Sequence, residues 1–446
     1  MNGNEKMRFF KKTIVVLGVF VLFQDLLLQH LRGTKMERFV QNIDELVALF
    51  LFLNIFARRL AFSGDKRVTA RCFFVPLLVA CGCLPCLLNS TNIQVMAEGC
   101  FMVVKGFMFY YVVSSVCFTE EEIKKIIILF FVLGVIFLIG MVFDAVFPQT
   151  FRALIGNHVY ISSRLGIRCP VSFFSSLERS GWWMAYLVLF LCAAFIVYRK
   201  KTYLFAMSPF AICAVLTMRA KPVFGALLAV TIGYLAIPNT KTKKRWLFVA
   251  LAIFLFAGVF GSGQLLALYE HKQKEFFSGR ETPRSRLYNV AFDIAKKRFP
   301  LGVGFGRYGG YISAKYYSDV YHKYGFDESW GFSKEHPDFL EDAFWPMILG
   351  ETGYLGTLSY VGILLSFFVM IRKKMKRYPD PATNFLCIAG IMILVEGIME
   401  STAAPFFAKM PFNYFVFGLL GIINSRFLYK NSGSAMNKHT NDTIPQ

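Results

Sequence analysis

Charge is scarce in this sequence. Only 17% of its 446 residues are Asp, Glu, Lys or Arg, against about 25% in an ordinary soluble domain. Acids are the scarcer sign, 28 against 49 basic residues, and histidine occurs six times. The Cys81-Gly-Cys83-Leu-Pro-Cys86 cluster has no nearby His and no second pair at zinc spacing, so neither a zinc site nor a disulfide framework is expected. Nine of the ten cysteines lie in or beside apolar runs and read as small buried hydrophobes; Cys169 alone sits in a polar segment. There is no internal repeat and no low-complexity tract. The first apolar run lacks a small-residue cleavage site and is followed by many more, so no cleavable signal is expected.

What is abundant is apolar. Hydrophobic residues make up 56% of the chain, Phe alone supplies 50 positions, and mean hydropathy is +0.49. This excludes a soluble enzyme, a disordered chain and a coiled coil, and predicts an all-α polytopic membrane protein. Twelve spans are expected, at about 13–30, 43–62, 72–88, 93–117, 125–147, 181–198, 203–217, 222–237, 246–263, 346–371, 384–401 and 410–428. Basic residues crowd alternate short loops: Arg58, Arg59, Lys66, Arg67 and Arg71; Lys124 and Lys125; Arg199, Lys200 and Lys201; Lys241 to Arg245; Arg372 to Arg377. The positive-inside bias then puts both termini in the cytoplasm and accounts for the net charge of +21 without a nucleic-acid partner. The chain divides into nine spans over 1–263 with an outward loop at about 148–180, a large helical extracytoplasmic loop at 264–345, three spans over 346–430, and a polar tail, 431–446, expected to be disordered.

The 264–345 segment is too long for a connector. It carries 12 basic residues and many rings, among them Tyr308, Tyr311, Tyr316, Tyr317, Tyr321, Tyr324, Trp330 and Phe332. Rings suit sugar faces or an interfacial cap, and guanidinium groups suit phosphate. Thr282 and Pro283 open a helix whose stripe is Leu287, Val290, Ala291 and Ile294, and Pro300 stops it. Arg280, Arg284 and Arg286 crowd its start, where free backbone N–H groups also attract anions. Next, Gly302, Gly304 and Gly306 let the backbone approach a ligand or a neighbouring helix closely; no Lys-Ser/Thr follows, so this is not a nucleotide loop.

The order Arg286…Ala291, then Phe299-Pro300-Leu301-Gly302-Val303-Gly304-Phe305-Gly306, then Gly350-Glu351-Thr352-Gly353-Tyr354-Leu355-Gly356 resembles the O-antigen ligase and polymerase superfamily of bacterial membrane glycosyltransferases. Arg164-Leu-Gly166 with Pro170, and Leu216-Thr-Met-Arg219-Ala, resemble two further outward pieces of that family. The similarity covers roughly 160–360 and the span pattern. Ligases carry a His about nine residues before the Glu-x-Gly of the next span; here that place is Asp342, and the nearest histidine is His336. Polymerases tolerate Asp there more readily.

The resemblance implies an enzyme in the bacterial cytoplasmic membrane that joins undecaprenyl-pyrophosphate-linked glycan units, donor to acceptor. Its partners would be these substrates, membrane lipids and a chain-length regulator. Arg164, Arg219 and Arg286 would contact pyrophosphate, with Asp342 or His336 as base and Glu351 as orienter. No cofactor or metal is called for where arginines supply the positive field. Ligation of finished polymer to a lipid A core is the sister alternative. Acids within spans (Asp25, Glu98, Asp144, Glu396, Glu400) are costly there and imply a wet cavity or partners, with Lys105 near Glu98 on a similar face. They leave a transporter or flippase open as well, and a non-catalytic scaffold is a third class.

Overall fold

A computed structural model describes residues 3–62, 70–156, 163–164, 167–236 and 282–425. The expected 246–263 span, Arg280 and the polar tail lie outside the described residues. Helices α1 (Gly3–His30), α2 (Lys35–Phe62), α3 (Ala70–Leu88), α4 (Ile93–Ser115) and α5 (Glu120–Val146) come first, followed by the short α6 (Pro148–Leu154). A two-residue ladder pairs Ser163–Arg164 with Ile167–Arg168. Then come α7 (Leu177–Tyr198), α8 (Thr202–Leu216), α9 (Ala220–Leu235) and α10 (Pro283–Lys297), and the single-turn helices α11 (Tyr311–Lys315) and α12 (Asp319–Lys323). The described residues end with α13 (Phe344–Arg377), α14 (Pro381–Glu400), a 3-10 turn (Ser401–Ala403) and α15 (Phe412–Ser425).

Seven of these helices are long and apolar enough to cross a membrane: α1, α2, α4, α5, α7, α13 and α14. Four shorter apolar helices, α3, α8, α9 and α15, fall on other expected spans. Large apolar side chains such as Ile128, Phe205 and Leu358 stand exposed on the bundle, a surface tolerable only in lipid. This is a membrane-embedded protein, helical among the described residues apart from the short ladder.

Local chemistry sets the helix ends. Thr119 and Glu122 form a capping box at the start of α5, with Thr119 Oγ1 accepting from Glu122 N at 3.2 Å and Glu122 Oε2 accepting from Thr119 N at 2.8 Å. Glu122 also receives Lys11 Nζ at 2.7 Å, which ties α5 to α1. At the centre, Trp182 and Trp183 of α7 meet Phe412 and Phe415 at 4.8 and 5.0 Å between ring centres.

The 282–343 segment has its own core. Thr282 caps α10, Pro283 occupies its first turn, and three of the four expected stripe residues, Leu287, Ala291 and Ile294, are buried together with Ala295, whereas Val290 is only partly buried. Tyr308, Tyr317, Tyr321, Phe326 and Phe332 close over that stripe. Tyr308, Tyr317, Tyr321 and Phe332 are therefore core rings, whereas Trp330, Tyr311 and Tyr316 are 70%, 43% and 39% exposed.

This segment is stitched into the bundle by backbone. Gly353 breaks α13 with φ 68° and ψ −167°, a region essentially restricted to glycine. The 300–306 loop fills the break. Val303 N donates to Gly350 O at 2.9 Å, Gly304 N to Glu351 O at 2.8 Å, and Leu355 N to Pro300 O at 3.2 Å, while Phe305 N donates to Gly82 O of α3 at 3.1 Å. The loop thus replaces the helical partners lost at the break. A Cβ on Gly302 would lie 2.3 Å from Gly350 O, so close approach to a neighbouring helix is what the spaced glycines provide.

Candidate functional site

Arg219 caps α9 after a turn in which Met218 takes φ 51°. Its guanidinium lies 3.9 Å from Glu400 Oε2 at the end of α14. One helical step on, Lys221 Nζ donates to Ala403 O at 2.8 Å in the 3-10 turn. Tyr288 Oη of α10 donates to Thr402 O at 2.8 Å in the same turn, and burial pushes its phenol up to about 12 against the pull of Arg284. Arg284, at the start of α10, pairs with Asp342 Oδ2 at 3.0 Å. Lys221 lies within electrostatic reach of Arg284, Glu400, Arg219 and Glu178. Three cations and several carboxylates from α7, α9, α10, α14 and the turn before α13 thus meet at one junction.

The junction contains polar atoms without partners. Thirteen buried side-chain N or O atoms among the described residues make no hydrogen bond, and four are here: Glu178 Oε1, Arg284 Nε, Glu396 Oε1 and Glu400 Oε1. Each costs about 1–3 kcal/mol when left bare, so water or another polar group is expected to meet them.

A cavity of about 950 Å³ lies alongside, between the facing ends of α1, α2 and α4, the 405–411 turn and the 306–312 loop. Glu341, Arg179, Lys409 and Glu351 line it. Three ion pairs brace its walls: Arg179 with Asp25, Lys105 with Glu45 at 2.8 Å, and Lys315 with Glu98 at 2.8 Å. Lys105 therefore serves Glu45 rather than Glu98. Apolar Leu46, Leu49, Phe101 and Met102 complete one side. Burial holds the Glu341 carboxyl above its usual range; Lys409 pulls it down, and Glu178 and Asp342 add to the rise.

The six residues singled out from the sequence have separate fates. Arg219 and Asp342 reach the junction. Glu351 is 2% exposed. Its Oε1 accepts from Arg307 N at 3.0 Å and Tyr308 N at 3.3 Å. It thereby holds the backbone that follows the glycine loop. Arg286 lies apart from the junction, against the 324–332 turn. Its guanidinium donates to Ser329 Oγ at 2.6 Å, Gly325 O at 2.8 Å and Tyr324 O at 3.3 Å. It also sits 4.8 Å from the Phe326 ring. Those bonds take up the fork that a phosphate would need. His336 is exposed, its ring lies against Trp330 at 6.1 Å, and it does not line the cavity. The backbone of Arg164 lies in the two-residue ladder; its side chain is outside the described residues.

The sequence pattern does not single out Lys221, Glu178, Glu341 or Lys409, and it marks Arg284 only as one of the cations crowding the start of α10. A signal existed: Glu178, Lys221 and Glu400 lie within three residues of the ends of expected spans, and alternation of the spans puts those ends on one side. The intramembrane Asp144 has a local explanation, since it receives Arg152 Nε at 2.8 Å and the Val171 N–H at 2.6 Å.

Compared with known proteins, the chain matches no family model and no curated sequence.

Proposed function

We propose that this protein is a membrane glycosyltransferase that polymerises oligosaccharide units carried on polyprenyl pyrophosphate, at the outer face of a bacterial cytoplasmic membrane. The observation that carries the proposal is the convergence of Arg219, Lys221 and Arg284, amid buried polar atoms that have no partner. An oligosaccharyl pyrophosphate reacts by losing a diphosphate. That leaving group needs positive charge where its own charge develops, in a site that excludes water. The remaining work is to align an acceptor hydroxyl with the anomeric carbon and to take up one proton.

Two further features support this reading. The motif order around Gly302–Gly306 and Glu351–Gly353 resembles that of the ligase and polymerase superfamily. The basic loops between the expected spans, counted by the positive-inside bias, support an outer position for the junction. Polymerase is favoured over ligase because the side chain meeting Arg284 is a carboxylate, Asp342, with a second carboxylate, Glu341, beside it.

The test is polymerisation in detergent by purified protein, with lipid-linked repeat units isolated from cells lacking this gene. The wild type yields a ladder. Arg219→Ala and Arg284→Ala each lower its initial rate by about 100-fold or more, with protein level and elution volume unchanged. A scaffold would show no ladder in vitro, and in cells the same changes would leave chain length untouched. A ligase would leave full-length polymer on the carrier lipid when the gene is deleted.

A further inference from the structure

We infer that the 950 Å³ cavity holds the acceptor sugar and that Glu341 on its wall, not Asp342, is the general base. The inference rests on the glycosyltransferase reading and assigns the second substrate of that same site.

Consecutive carboxylates face different places. Asp342 is bonded to Arg284 in the junction, whereas Glu341 lines the cavity with Arg179 and Lys409. Among the described residues no hydrogen bond reaches the Glu341 carboxylate, so its oxygens are available to a ligand. The cavity is at the upper end of the range of about 300–1,000 Å³ usual for small-molecule sites. Its lining has the chemistry of a sugar site: the amides of Gln41 and Asn42, the Tyr311 ring and apolar Phe101. Glu341 therefore stands between the group of cations suited to a diphosphate and a chamber suited to hydroxyls.

The step balances without a co-reactant. The acceptor O–H oxygen forms a bond to the anomeric carbon of the donor, and its proton passes to the Glu341 carboxylate. The bond from that carbon to the pyrophosphate oxygen breaks, and its electron pair leaves with the lipid diphosphate beside Arg219, Lys221 and Arg284. A base whose proton affinity exceeds that of an exposed carboxylate is better matched to a sugar hydroxyl. Burial raises that affinity at Glu341. The charged groups facing it are Lys409 from the 405–411 turn, Glu178 and Arg179 from α7, and Asp342 from its own turn. The rate should rise with pH through the Glu341 titration, because the protonated carboxyl cannot accept the proton.

Full-length protein with a photo-reactive benzoylphenylalanine at Leu46, in α2 on the cavity wall, tests both halves of the inference. The acceptor-only probe is the lipid-free oligosaccharide released from the repeat unit by mild acid. The probe should label position 46, and Glu341→Gln should keep that labelling while lowering the initial ladder rate by about 100-fold or more. Glu341→Asp should restore part of the rate, with its acid limb at lower pH than in the wild type. Wild-type laddering by Glu341→Gln, or no labelling at position 46 by a probe that still inhibits laddering, overturns the inference. If Glu341→Gln fails to fold, an unshifted acid limb in Glu341→Asp overturns it instead. No ladder from the wild type itself removes the glycosyltransferase reading beneath it.

Discussion

Arg284 and Arg286 lie two positions apart at the start of α10, about 200° around the helix from one another. The buried stripe of Leu287, Ala291 and Ile294 fixes the helix's rotation, so one arginine is turned to Asp342 and the other to the 324–332 turn. Arg286 clips that turn with three hydrogen bonds and two ring contacts. Arg286→Ala is expected to destabilise the protein by about 2–4 kcal/mol, since it strands carbonyls that now receive a charged donor. Arg284→Ala removes a half-exposed pair worth about 0–1 kcal/mol. Thermal unfolding in detergent should therefore drop several degrees for the first variant and hardly move for the second; equal midpoints would disprove the clip. An arginine-rich helix start was legible from sequence. Which arginine faces the site was not, because that depends on how α10 docks. Glu341 was hidden for a related reason, since neighbouring acids on an irregular turn have no periodicity to separate them.

At the level of elements, the long apolar helices and the start of α10 were legible because apolar runs and a Thr-Pro start are local signals. The break in α13 was not, because a Gly within an apolar helix is ordinarily tolerated; only the loop that fills it explains Gly353. The same interlock predicts how narrow the tolerance is. A Cβ on Gly353 would lie 2.2 Å from the Leu301 carbonyl carbon, at a backbone conformation that L-residues avoid. Gly302→Ala and Gly353→Ala should each abolish the monodisperse peak in size-exclusion chromatography. Gly33→Ala is the contrast, because Gly33 has positive φ but open space around it. A normal peak from Gly302→Ala would show that the loop seats differently.

Across the whole molecule, the polar residues are sorted by end. The junction and cavity gather one set of helix ends, whereas Lys11 with Glu122, and Lys374 with Asn424 at 2.6 Å, belong to the other. If the positive-inside bias orients the chain, an engineered cysteine at Lys334 should react with a membrane-impermeant maleimide in spheroplasts. One at Lys373 should react only after permeabilisation. The reverse pattern would place the junction in the cytoplasm and end the proposal of an outer-face enzyme. The interlock at Gly353 has a consequence for engineering. Residues near 82, 301–306 and 350–355 share main-chain hydrogen bonds, so the aromatic 282–343 segment is not an interchangeable module. A chimera meant to swap specificity would have to transplant the glycine loop, the α3 turn that receives it and the kinked stretch of α13 as one three-part graft. A transplant of the segment alone would leave the recipient's broken helix with unanswered carbonyls in hydrocarbon.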